Sequence, residues 1–186
     1  MVKTALVIIS NGVEDVEAVA PVDIMYRAGI KITIAGLTSG PVKAAYGNTI
    51  VPHITIDQVD DLYDAIVLPG GYENAINLAG NEKVLKLIHA HYAEGKLVAA
   101  ICASPALVLG EAAGLIRGKR VTGFPGTQEI IENTGGEYTD ELITVDGNII
   151  TGMGPGTAIL FGLEIVEYLI SKQVTDELVA KLRVRR

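Results

Sequence analysis

The chain has one cysteine, Cys102. Five apolar residues, Leu97-Val98-Ala99-Ala100-Ile101, run straight into it, and Ala103-Ser104-Pro105 follow where a helix begins. A strand-to-helix turn of this kind is the geometry of a nucleophile elbow, although the Gly-x-Ser-x-Gly pattern is absent. The small neighbours Ala100 and Ala103 permit a sharp turn. A helix amino terminus next to the sulfur favours thiolate. An isolated cysteine in a core strand is usually inert. Its place at the strand's end shifts the balance towards function.

Two other groups suit such a nucleophile. Gly70-Gly71 ends another apolar strand, Asp64 to Leu68. Residues without Cβ let backbone N–H groups approach a ligand, so the N–H groups of Gly71 and Ala103 form a candidate oxyanion pair. A plain Pro-Gly turn is the competing explanation. The acidic residues Glu14, Asp15 and Glu17 open the first helix, where they complement its dipole. Glu17 lies one turn in, near the same edge as Cys102. Buried there, its carboxyl would keep its proton and hydrogen-bond a thiolate. On spacing alone, the dipole role is preferred for Glu17 as well.

Other motifs offer less. His89 and His91 are two apart and do not share a helix face, and His53 is isolated. Neither a zinc-spaced Cys/His set nor Gly-x-x-x-x-Gly-Lys is present. Gly152-Met153-Gly154-Pro155-Gly156 departs from Gly-x-Gly-x-x-Gly because Thr157 takes the third site; it suits a tight helix entry with Thr157 near the cap. The expectation is a site without cofactor or metal.

The elements that must position these residues alternate along the chain. Apolar strands are expected at Ala5–Ile9, Ile30–Ala35, Asp64–Leu68 and Leu97–Ile101, and helices at Glu14–Ala28, Glu82–Glu94, Ala103–Ala113 and Gln128–Asn133. Pro21 should kink or split the first helix. A small antiparallel excursion is expected between Val42 and Ile56, and a short strand at Arg120–Thr122. Asp146-Gly147 predicts a type I′ hairpin turn between Leu142–Val145 and Asn148–Thr151. A long helix through Ile159 and Ile170 and a last one over Asp176–Leu182 complete an α/β three-layer sandwich. Ligands in such folds bind beyond the carboxyl ends of the strands, where Ser10, Leu68 and Ile101 all finish.

The 186 residues read as a single domain spanning 1–186, 49% hydrophobic and 20% charged, which is ordinary for a packed fold. A net charge of −7 argues against nucleic acid as a partner. No apolar run approaches a membrane span, and one cysteine permits no intrachain disulfide. A cytoplasmic, reducing location is expected. Arg183, Arg185 and Arg186 suit a solvated tail.

Together, Gly12-Val13-Glu14-Asp15-Val16-Glu17, Pro21-Val22-Asp23, Val67-Leu68-Pro69-Gly70-Gly71, Ala99-Ala100-Ile101-Cys102-Ala103 and Gly154-Pro155-Gly156-Thr157 resemble the DJ-1/ThiJ/PfpI superfamily, and its DJ-1 branch above all. The likeness runs almost end to end. It implies a flavodoxin-like, mostly parallel sheet with helices on both faces, and a homodimer. It implies Cys102 as nucleophile, Glu17 as its protonated carboxyl partner, and Gly71 and Ala103 as backbone donors. The implied activity is that of a cofactor-independent glyoxalase, converting methylglyoxal to lactate, or of a deglycase acting on glycated substrates. A redox sensor or chaperone whose cysteine oxidises to sulfinate is the alternative. Three positions depart from relatives. Ala103 stands where protease-like members have His, Phe124 where some members have His before proline, and Met153 where some have Arg. A Cys-His peptidase is thereby disfavoured.

Overall fold

The computed structural model describes residues 1–185; of the basic tail, Arg183 and Arg185 are exposed and Arg186 lies outside the described residues. Eleven strands follow in chain order: β1 (Thr4–Ile9), β2 (Lys31–Gly36), β3 (Val42–Lys43), β4 (Thr49–Ile50), β5 (Ile54–Thr55), β6 (Ala65–Leu68), β7 (Leu97–Ile101), β8 (Arg120–Val121), β9 (Glu137–Tyr138), β10 (Ile143–Asp146) and β11 (Ile149–Gly152). Seven make one sheet in the order β10-β11-β7-β6-β1-β2-β5. All neighbours are parallel except the β10–β11 hairpin at one edge. The helices are α1 (Asp15–Arg27), α2 (Tyr72–Ala79), α3 (Glu82–Ala93), α4 (Gln128–Asn133), α5 (Ala158–Leu169) and α6 (Lys172–Leu182).

The period of two in a strand sorts its side chains between two cores. Ala5, Val7 and Ile9 of β1 pack with Ile24 and Met25 of α1 and Phe161 and Val166 of α5. Leu6 and Ile8 point the other way, to Leu78 of α2, Val84 and Ile88 of α3 and Leu109. Strands apolar on both faces fit a sheet covered twice, which is the expected flavodoxin-like α/β sandwich.

Several local expectations change. Pro21 does not split α1, which runs unbroken from Asp15 to Arg27. α2 was not foreseen. Residues Pro105–Ala112 coil in wide π-type turns rather than an ordinary helix, with Ala113 N–H donating to Val108 O at 2.9 Å. α6 starts at Lys172, where the Ser171 side chain accepts the Val174 N–H, and not at Asp176. The hairpin register keeps Asp146 paired with Ile149. The turn is therefore Gly147-Asn148, with positive φ at Gly147 alone (62°), as in type II′ rather than I′.

Candidate active site

β11, β7, β6 and β1 are parallel neighbours, so their carboxyl ends share one edge. Cys102 leaves β7 there. Its N–H still pairs with Gly152 O at 2.9 Å, and its carbonyl accepts the Phe124 N–H at 2.8 Å. Between these anchors the backbone adopts φ = 67°. The left-handed region costs a residue with a Cβ about 1–2 kcal/mol. Cys102 is 7% exposed and forms part of the wall of a cavity of about 560 Å³.

The Pro69-Gly70-Gly71 turn is held against it. Buried Asn74 donates to Pro69 O at 2.9 Å and Gly70 O at 3.1 Å, and its Oδ1 accepts the Ser10 N–H at 2.7 Å. The Ser104 hydroxyl donates to Pro69 O at 2.6 Å. A methyl on Gly70 would collide with Glu17 Oε2 and, at 2.5 Å, with Cys102 Cβ. Gly71 has φ = 88°, and a methyl there would strike Gly12 O and, at 2.7 Å, Glu14 N. Only glycine fits either place. The backbone N–H groups of Gly71 and Ala103 act on the Cys102 sulfur, each favouring its ionised form.

Glu17 sits behind the sulfur, 1% exposed. Glu14 caps α1 by accepting the Glu17 N–H at 2.7 Å. Glu17 Oε2 accepts the Gly70 N–H at 2.8 Å. Its Oε1 is buried without a hydrogen bond of ordinary geometry, and the Cys102 thiol is the side chain the carboxyl engages. Burial raises the Glu17 pKa to about 7, and the charge of Glu14 adds to this, against the lowering effects of Cys102 and the Gly70 N–H.

The thiol itself departs from expectation. Burial pushes Cys102 up to about 12, and the Glu17 carboxylate adds to it, while the Gly71 and Ala103 N–H groups pull the other way. Desolvation and a neighbouring negative charge outweigh two backbone dipoles. The helix terminus therefore does not ionise this sulfur on its own. The two groups titrate as a pair. Above about pH 7 they hold one proton between them, and an ionised Glu17 is placed to receive it from the thiol.

Thus the structure gathers Cys102, Glu17, Gly71 and Ala103 at one point. It also shows roles that residue patterns missed. Asn74 and Ser104 fix the glycine turn, and their only signal is a polar residue three places after Gly-Gly and another two places after Cys102. Asp15 does more than face a dipole: it accepts the Tyr46 N–H at 2.8 Å and the Asn48 N–H at 3.1 Å, pinning the β3–β4 loop. Tyr46, Tyr72, Glu73, Phe124 and Thr127 line the cavity. Among the described residues, no group of three His, Cys, Asp or Glu is arranged to hold a metal ion, and no helix is long and apolar enough to cross a membrane.

Known proteins resemble this chain over almost its whole length. A model of the DJ-1/PfpI family matches residues 3–168. The chain is 38% identical to the Parkinson disease protein 7 homolog of Danio rerio over 184 residues, covering 97% of this chain and 96% of that one. It is 32% identical to the glutathione-independent glyoxalase DJR-1.2 of Caenorhabditis elegans over 182 residues, 97% of this chain and 96% of the relative. The crystal structure of Drosophila melanogaster DJ-1beta superposes with a TM-score of 0.95 at 37% identity, covering both chains completely.

Proposed function

The chain belongs to the DJ-1/PfpI family, and from that premise we propose that it is a cysteine-dependent glyoxalase that needs no glutathione. The carrying observation is one buried carboxyl, Glu17, engaged with the Cys102 sulfur while the Gly71 and Ala103 N–H groups converge on the same atom. A relative at 32% identity bears the name of that activity.

The thiol adds to the aldehyde carbon of methylglyoxal as its proton passes to the Glu17 carboxylate. The C–S bond forms, and the carbonyl electron pair moves to oxygen beside the Gly71 and Ala103 N–H groups. Glu17 returns the proton to that oxygen, which leaves a hemithioacetal. The regenerated carboxylate then takes the hydrogen from the former aldehyde carbon. An enediolate forms with its negative charge on the second oxygen, the hydroxyl proton passes to that oxygen, and Glu17 delivers its proton to the second carbon, which leaves a thioester. One carbon is oxidised and its neighbour reduced, with no external oxidant. Water cleaves the resulting thioester, releasing lactate and restoring the thiol. A carboxyl titrating near neutrality suits both directions of transfer.

The test is lactate formation from methylglyoxal without glutathione. The wild type is expected to turn over and Cys102→Ala is not; equal rates in the two would end the proposal. Deglycase action rests on the family likeness and is read as lactate release when a preformed glycation adduct replaces methylglyoxal as substrate.

A redox role has one observation in its favour, the unfilled Oε1 of Glu17. Protonated, it would donate to a sulfinate formed when two equivalents of peroxide oxidise the thiol and leave as water. Intact mass after mild peroxide should then show a stable gain of two oxygens, absent in Cys102→Ala. For assembly, we propose a homodimer through the outer face of α1, where Val16 and Val19 are 48% and 56% exposed. Light scattering giving a monomer mass would contradict it.

A further inference from the structure

The cavity in front of Cys102 carries charge of one sign. Among the described residues, Glu14 and Glu73 are its charged lining residues, and no lysine, arginine or histidine lines it. Glu14 is buried and committed to capping α1. Glu73 is exposed on the first turn of α2. Its side chain lies across Gly12, where an added methyl would meet Glu73 Cβ at 2.5 Å and Oε2 at 2.8 Å. It also borders a polar cleft of about 320 Å³ with Asn11 and Asn77, which puts its carboxylate on the rim between the two hollows. Among the described residues no basic side chain pairs with it. Lys43 reaches this loop through its main chain, accepting the Gly12 N–H at 2.8 Å and donating to Asn11 Oδ1 at 2.9 Å.

Taking Cys102 as the nucleophile proposed above, we infer that Glu73 is a specificity-determining residue which, with Glu14, restricts the cavity to uncharged or cationic carbonyl compounds and turns away α-oxo acids and other anions. An incoming carboxylate would meet two like charges and, among the described residues of this chain, no compensating cation on the cavity wall. Such repulsion survives physiological salt only over about 8 Å, so a charge on the cavity wall counts and a distant one does not. The exposure of Glu73 keeps the effect moderate.

Iodoacetamide and iodoacetate test this without any turnover. They share size and leaving group and differ by one negative charge, so the ratio of their rates at Cys102 cancels the thiol's ionisation. The rates are read by mass spectrometry for wild type, Glu73→Gln and Glu177→Gln, the last removing an equal charge on α6. The iodoacetate-to-iodoacetamide ratio should rise about 2–5-fold in Glu73→Gln and stay put in Glu177→Gln. Added salt should raise the wild-type ratio. An unchanged ratio in Glu73→Gln, or an equal rise in both variants, overturns the inference. A changed ratio in a protein that forms no lactate keeps the charge filter and removes the glyoxalase proposal. Failure of Cys102 to react with either reagent removes both.

Discussion

The two ends of the central sheet treat their polar groups in opposite ways. At the amino end, Asp64 precedes β6 and is fully engaged. It accepts the Thr4 N–H at 3.0 Å, receives the Thr4 hydroxyl at 3.2 Å, and faces Lys96 at 3.3 Å and Lys3 at 3.5 Å. Burial raises its pKa, but these partners outweigh burial and leave it lowered. Nearby, the Asn148 amide donates to Lys96 O at 2.8 Å. At the carboxyl end stand a cysteine with positive φ, two glycines with no room for a methyl, and a carboxyl with one oxygen unfilled. The two buried side-chain atoms lacking a hydrogen bond among the described residues, Glu17 Oε1 and Thr122 Oγ1, both belong to this end. One end closes the strands' starts; the other holds unsatisfied groups that a reacting molecule can use.

The contrast breaks most visibly in turnover. Cys102→Ala should abolish lactate formation, a loss of at least about 10³-fold, and Glu17→Gln should cost about 10²–10⁴-fold. Asp64→Asn should keep kcat/KM within about 3-fold of wild type. Steady-state kinetics on the three variants decides it. Equal losses at both ends would mean that the division is not functional.

The next effect is on stability, and its sign reverses the usual sense of a harmful mutation. Glu17 binds its proton more tightly folded than unfolded, at about 7 against 4.5. Its contribution is therefore complete below about pH 4.5 and is lost as pH rises through about 7. The difference amounts to roughly 3 kcal/mol. Glu17→Gln should accordingly gain on wild type between pH 5 and pH 8 in urea unfolding. A constant difference across that range would show that the site does not strain this carboxyl.

Asp64→Asn should behave conversely, losing up to about 1 kcal/mol at pH 7, because Lys3 and Lys96 lose their charge partner but are exposed enough for water to solvate them. Urea unfolding of this variant beside wild type measures the amino end directly. A neutral result would place the stabilisation elsewhere.

Much of the active end was legible because its signals are local. A run of apolar residues stopping at Cys102, and another at Pro69-Gly70-Gly71, each mark a strand's carboxyl end, and a parallel sheet then brings those ends together. The ionisation of Cys102 was not legible. It depends on burial and on Glu17, whose carboxyl is oriented by the N–H of Gly70, far along the chain. α2 escaped because eight residues with buried Asn74, Ala75 and Leu78 show barely one period of an apolar stripe. The hairpin turn moved because strand pairing carried Asp146 into the ladder, leaving Gly147 as the one residue with positive φ. Local chemistry thus names the elements and their ends, whereas energies of buried groups come from contacts between distant segments.

The smallest expected effect belongs to His91, the buried histidine of the amino end. Its Nε2 accepts the Tyr63 N–H at 3.1 Å, so Nδ1 carries the hydrogen and donates to Leu87 O at 2.7 Å. A second proton would face the Tyr63 N–H and place an unpaired charge in the interior. Burial accordingly holds the His91 pKa below its ordinary 6.5, and the positive charge of Lys96 adds to this, against the pull of the Leu87 carbonyl. The unfolded chain then takes up the proton first, so this contribution is present above pH 6.5 and is lost as pH falls below it. That is opposite in sign to Glu17 over the same pH range, and in wild type the two partly cancel. Removing Glu17 uncovers it: Glu17→Gln should lose stability between pH 6.5 and pH 5, and adding His91→Gln should flatten that slope. If the single and double variants show the same slope, the acid sensitivity of the amino end lies in another group, and the opposition between the two ends does not extend to their protons.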